Sequence, residues 1–113
     1  MRFALLPIEK AAIVRIAERL SESRRVQLLR DLENATVEVI SPERTIFHIA
    51  GYQRPPYEGQ HSFGVGGRLY DSDGVYLDLD LYADQNGRLL ELELLREGVG
   101  EVLAPRWDTL ELF

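Results

Sequence analysis

Leu77-Asp78-Leu79-Asp80-Leu81 and Leu90-Glu91-Leu92-Glu93-Leu94 are the two stretches whose reading decides the fold. Each alternates strictly between leucine and a carboxylate, the period of a β-strand with one buried face. Between them, Asp84-Gln85-Asn86-Gly87 is a turn, and Asn-Gly between alternating runs is a strong hairpin signal. The two runs are therefore adjacent antiparallel strands. Leu77, Leu79, Leu81, Leu90, Leu92 and Leu94 share the core face, and Asp78, Asp80, Glu91 and Glu93 share the other. A four-residue loop pairs Ala83 with Arg88. It sets Asp80 opposite Glu91 and Asp78 opposite Glu93; moving the register by two residues keeps all four on one face.

Upstream of the hairpin, the period of two continues. Thr36–Ile40 and Arg44–Ala50 are β-rich runs joined by Ser41-Pro42-Glu43. Gln53–Gln60, with Pro55-Pro56, is the longest loop signal. His61–Tyr70 is a third strand that Gly64, Gly66 and Gly67 bend or bulge. Asp71-Ser72-Asp73-Gly74 is a turn; it lacks the later ligands of a calcium loop, where Val75 and Tyr82 stand. Val75–Ala83 and Arg88–Arg96 are strands four and five. Thr109–Phe113 is a short edge strand at the end of a less regular tail.

The first third has a helical period instead. Ile8, Ala12, Ile16 and Leu20 recur every four residues, and Pro7 suits a first helical turn. Ser21-Glu22-Ser23 offers a new N-cap. A second helix over 23–34 carries Val26, Leu29 and Leu32 as its stripe, with Leu28 beside them, and Asn34 stops it. The expected fold is α+β in a single domain, 1–113. A helical hairpin, 1–34, packs on one face of an antiparallel meander of about five strands, 35–113.

Composition narrows the function. At 113 residues, the scaling rule gives a folded surface of roughly 6,300 Å², enough burial for a core without staples. No cysteine is present, so disulfides and thiol chemistry are excluded. The formal net charge is −6, against nucleic-acid and anionic-membrane binding. No apolar run is long enough for a signal or a membrane span, which implies a cytoplasmic protein. The charge is uneven. Residues 1–34 hold seven basic and five acidic side chains, 35–68 hold three of each, and 69–113 hold three basic and eleven acidic, a local −8.

Like charges opposite each other on neighbouring strands are destabilising, so the acidic hairpin asks for an explanation. Three readings compete. The face is solvated and neutralised by Arg68, Arg88 or Arg96; or it docks a basic partner; or its carboxylates hold a divalent cation, with His61 as a candidate helper. The two histidines, His48 and His61, carry no nucleophile context. Arg54 and Tyr57, with Tyr52 and His61, gather interface-type residues in one loop. Tyr52 and Tyr57 serve equally as caps of the sheet core. Trp107 is expected to pin the tail.

The second half resembles small bacterial α+β immunity proteins of polymorphic and contact-dependent growth inhibition toxin systems. Asp71-Ser72-Asp73-Gly74-Val75, Leu81–Glu93, Arg96-Glu97-Gly98 and Pro105-Arg106-Trp107 carry the resemblance, which covers about residues 61–110. It implies a non-enzymatic, acidic inhibitor that binds and neutralises a cognate toxin domain, and it transfers no catalytic residue. The expected partner-binding residues are Asp78, Asp80, Glu91 and Glu93, with Arg54 and Tyr57 as anchors. No catalytic residue, cofactor, metal, nucleic acid or membrane is expected. The competing functions are a metal-dependent hydrolase on the same carboxylates and an oligomeric accessory domain that uses an exposed edge strand.

Overall fold

A computed structural model describes all 113 residues. The period-four apolar run becomes α1, Pro7–Ala17, and the second becomes α2, Glu22–Glu33. Pro7 opens α1, and the Leu6 N–H donates to the Glu9 carboxylate at 2.9 Å, closing the first turn. Ser21 occupies the N-cap of α2 without a hydroxyl capping bond, and Asn34 is its C-cap. The buried stripe of α2 differs from the expected one. Leu28, Asp31 and Leu32 face inward while Val26 is exposed, because a buried carboxylate takes a place in the stripe.

Seven strands follow: β1 Ala35–Ser41, β2 Arg44–Ile49, β3 His61–Ser62, β4 Gly67–Tyr70, β5 Tyr76–Ala83, β6 Leu89–Arg96 and β7 Arg106–Leu112. The fold is α+β, with the sheet antiparallel throughout. Its strand order is β1-β2-β6-β5-β4-β7, with β3 paired beside β5. The count exceeds five for two reasons. Gly64, at φ +81°, breaks the run 61–70 into β3 and β4, a backbone angle that glycine alone adopts without strain. The tail also forms a full strand, β7, which pairs with β4.

Nor is the order a plain meander. The β1–β2 hairpin joins β6, so the chain from β2 to β3 must cross β6 and β5. Residues 50–60 make that crossing, on the face away from the helices. The core lies on the other face, where Ile13, Ile16 and Leu28 from the helices meet Phe47, Leu69, Leu77, Leu81 and Leu89 from the sheet. Each such leucine contributes about 1.5–3 kcal/mol by leaving water. The total accessible surface is 6539 Å², close to the roughly 6,300 Å² that chain length predicts.

The hairpin register departs from the turn-based count. Asp80 stands opposite Glu93, Tyr82 opposite Glu91, and Asp78 opposite Leu95. Two steps cause it: the loop is one residue longer, so Ala83 pairs with Leu89 rather than Arg88, and Leu90 is bulged between that pair and Tyr82–Glu91. Leu89 therefore takes the core place expected for Leu90. Leu90 is buried too, but beside Ile46, Arg54 and Pro55 under the crossing segment.

Candidate functional site

The outer face of the sheet begins as a row of charges, and most of them are already matched. Asp78 is bonded to Arg68 at 3.2 Å, and Arg68 also reaches Glu97 at 3.0 Å. Asp71 and Asp73 share Arg96, at 2.8 and 2.6 Å. Asp31 on α2 holds Arg88 at 2.7 Å, and Asp84 holds Arg54 at 2.8 Å. Arg54 and Arg68, which lie outside residues 69–113, thus offset part of that segment's local −8.

Glu91 does not belong to an exposed face. It is fully buried, bonded to the Arg44 guanidinium on one side and to the Gln60 amide on the other. Gln60 ends the crossing segment, so that segment is what covers Glu91. No hairpin pattern within β5 and β6 could disclose this cover.

Arg54 likewise turns inward. Its guanidinium donates to the Asp84 carboxylate and to the Phe47 and Leu89 carbonyls, each at 2.8 Å. It clamps the start of the crossing segment to β2 and β6 and has no donor aimed at a partner. Tyr52 completes the clamp: its hydroxyl donates to Asp84 at 2.6 Å, and the Arg88 guanidinium lies 4.2 Å from its ring centre. Burial and the neighbouring Asp84 both push the Tyr52 hydroxyl above its ordinary pKa. Tyr57, in contrast, is 67% exposed on the crown of the segment, as an anchor residue requires.

Two of the hairpin carboxylates remain without a cation, Asp80 and Glu93. Asp80 accepts the Ser62 hydroxyl, at 2.8 Å. Arg44 stands opposite Glu93 on β2 but gives its guanidinium to Glu91. Asp80 and Glu93 line an open cleft of about 290 Å³ together with Asp78, Tyr82, Leu95 and Phe113. Leu95 is 62% exposed and Phe113 67%. The Tyr82 hydroxyl reports the field there: burial first, then the negative charges of Asp80 and Glu93, push its pKa up to about 12. Tyr82, Leu95 and Phe113 escaped the sequence reading. Tyr82 could have been found, because it continues the outer-face alternation of β5 past Asp80.

The structure does not gather the histidines with these carboxylates. His48, on β2, bonds to Glu38 at 2.8 Å, and that bond holds the Glu38 carboxyl below its usual range. His61 sits on β3 opposite Ala83. No group of three or more His, Asp or Glu side chains stands in ligating geometry. The Asp71–Gly74 loop is a structural joint. Asp71 is fully buried and accepts the backbone N–H groups of Ser72, Leu103 and Ala104 at 2.8–2.9 Å as well as Arg96. No helix is long and apolar enough to cross a membrane. The chain matches no protein-family model, no curated protein and no solved structure.

Proposed function

We propose that this chain is a non-enzymatic binding protein, an immunity protein whose open sheet face occludes the substrate site of a cognate basic toxin domain. The observation that carries the reading is selective neutralisation. Of the four hairpin acids, Asp78 and Glu91 are held by cations, while Asp80 and Glu93 face each other without one. A carboxylate pair that repels itself across two strands is relieved when a lysine or arginine of a partner enters between them.

The docking face therefore centres on Asp80 and Glu93. Leu95, Tyr82 and Phe113 supply the apolar rim, and Tyr57 is a separate anchor. Asp78 contributes through its Arg68 pair, while Glu91 and Arg54 act by holding the crossing segment in place. Carboxylates presented in this way compete for the cationic side chains with which a nuclease-type toxin holds phosphates. Such a protein works in the cytoplasm of the cell it protects.

The test begins with the gene next to the coding sequence. If it encodes a secreted protein, its C-terminal domain is expressed with and without this chain. Growth protection and a salt-sensitive complex are expected for the natural sequence. Both are lost in the Asp80→Lys/Glu93→Lys variant while its circular dichroism stays unchanged. Full protection by that variant would falsify the face assignment, and absence of any complex would remove the immunity reading.

A further inference from the structure

The bulge that moves the hairpin register also shapes a cavity. Leu90 leaves the core face and turns beneath the crossing segment, beside Ile46 of β2. Pro55 and Tyr57 of that segment line the same space, a cavity of about 180 Å³ between segment and sheet. The segment does not settle onto the sheet to fill it. Pro55-Pro56 is stiff. The Arg54 bonds fix its height at one end and the bond from Gln60 to Glu91 fixes it at the other.

Volume bounds what such a cavity can hold. Drug-sized ligands occupy roughly 300–1,000 Å³, more than this one offers. An apolar cavity of roughly 150 Å³ is enough for benzene. The lining also selects against charge. Arg54 and Asp84 reach the cavity but are bonded to each other at 2.8 Å, and His48 bonds to Glu38 at 2.8 Å. Gln85 gives its amide to the Pro56 carbonyl at 2.9 Å. A charged guest would give up its water here without meeting a free counter-ion.

We propose that this cavity binds a free, neutral, single-ring aromatic molecule. Its ring lies between Ile46 and Leu90 of the sheet and Pro55 and Tyr57 of the crossing segment. Leu90 is only 7% exposed beneath that tied segment. A free molecule can reach it when the segment lifts, whereas a partner's side chain brings a backbone that the segment holds off. The guest touches both layers, so the segment cannot open until the guest leaves. No lining residue is shared with the Asp80–Glu93 cleft. The site therefore stands whether or not that cleft docks a toxin.

Phenol is the probe, added to the natural chain. It should move the methyl resonances of Ile46 and Leu90 saturably and leave those of Leu77, in the core, in place. At about ten times its dissociation constant it should slow proteolytic cleavage near Glu58-Gly59 about tenfold, since only the closed form holds it. Benzoate and benzylamine carry the same ring with opposite charges and should do neither. Leu90→Trp puts a larger ring into the same space and should weaken phenol binding roughly fivefold or more. Should that variant fail to fold, the methyl shifts and cleavage rates of the natural chain decide. The site is overturned if no saturable shift appears below about 50 mM phenol. An equal response to benzoate, or a folded Leu90→Trp that binds phenol undiminished, overturns it as well.

Discussion

Asp80 on β5 and Glu93 on β6 are direct cross-strand partners, and neither has a cation within ion-pair distance. Opposed like charges cost a sheet about 0.2–1 kcal/mol. Asp80→Asn or Glu93→Gln should therefore stabilise the free protein by roughly 0.5 kcal/mol in urea unfolding. In the same variants, the Tyr82 hydroxyl should titrate below its present value of about 12, because two of its three main causes are negative charges in this cleft. Spectrophotometric titration reads that shift. Unchanged stability together with an unchanged tyrosine titration would mean that the two carboxylates do not act on each other.

Asp31 should be the costliest acid to remove. It is 1% exposed and accepts two nitrogens of Arg88, the Leu89 N–H at 3.1 Å and the Gln27 amide at 3.0 Å. Asp31→Ala strands the partly buried guanidinium and should lose about 3–5 kcal/mol. Asp31→Leu with Arg88→Met should recover much of that loss, since well-packed apolar groups can replace a buried ion pair. Urea midpoints for the single and double variants decide the matter.

Acid should unfold the protein through its loop carboxylates. Burial pushes Asp71 and Asp84 upward, but backbone N–H donors, Arg96, Tyr52 and Arg54 outweigh it and hold both below the usual carboxyl range. Asp73, bonded to Arg96, lies at about 2. All three are more acidic folded than unfolded, so their stabilisation is complete above about pH 4, the unfolded value. It drains as pH falls from there toward about 2. Asp71→Asn should be less stable near neutral pH and lose less stability over that acid window. A variant that loses as much as the natural chain would show that Asp71 is not a source of the acid sensitivity.

The crossing segment should open locally before the sheet does. Between the Arg54 clamp and Gln60, its remaining side-chain tie is the Gln85 amide, which donates to the Pro56 carbonyl at 2.9 Å. Gln60→Ala should leave the melting temperature within a few degrees, an effect of about 1 kcal/mol. It should nonetheless speed proteolytic nicking near Glu58-Gly59 several-fold. Arg54→Ala should do both, lowering stability and exposing the segment. If Gln60→Ala leaves the cleavage rate unaltered, then Gln60 does not fasten the segment.

The strands were legible where a local pattern carried them. Leucine–carboxylate alternation placed β5 and β6 and their faces, because burial on one side imposes a period of two whatever the neighbours are. Register was not legible. The turn residues imply Ala83 opposite Arg88, but a loop longer by one residue and the bulged Leu90 together move every later pair by two. The four hairpin acids look equivalent in sequence, yet tertiary contacts sort them. A segment ending 31 residues upstream buries Glu91, Arg68 takes Asp78, and Asp80 and Glu93 are left over. Arg54 reads as an exposed anchor for the same reason: its partner Asp84 sits 30 positions away, beyond any local periodicity. Tyr57 stayed exposed because nothing distant reaches it.

The placement of β6 between β2 and β5 has a consequence for synthesis. β1 and β2 leave the ribosome first and form a hairpin whose inner strand, with Phe47 on its apolar side, has no neighbour. That neighbour is β6, whose pairs with β2 join Arg44 to Glu93 and Ile46 to Glu91. Roughly two-thirds of the remaining chain must be translated before the sheet can close across this seam. Pairing over such a sequence distance is slow, so the nascent N-terminal half waits with an open strand edge. The Phe3 strand, made earlier, covers the opposite edge of that hairpin, at β1, and leaves this one open.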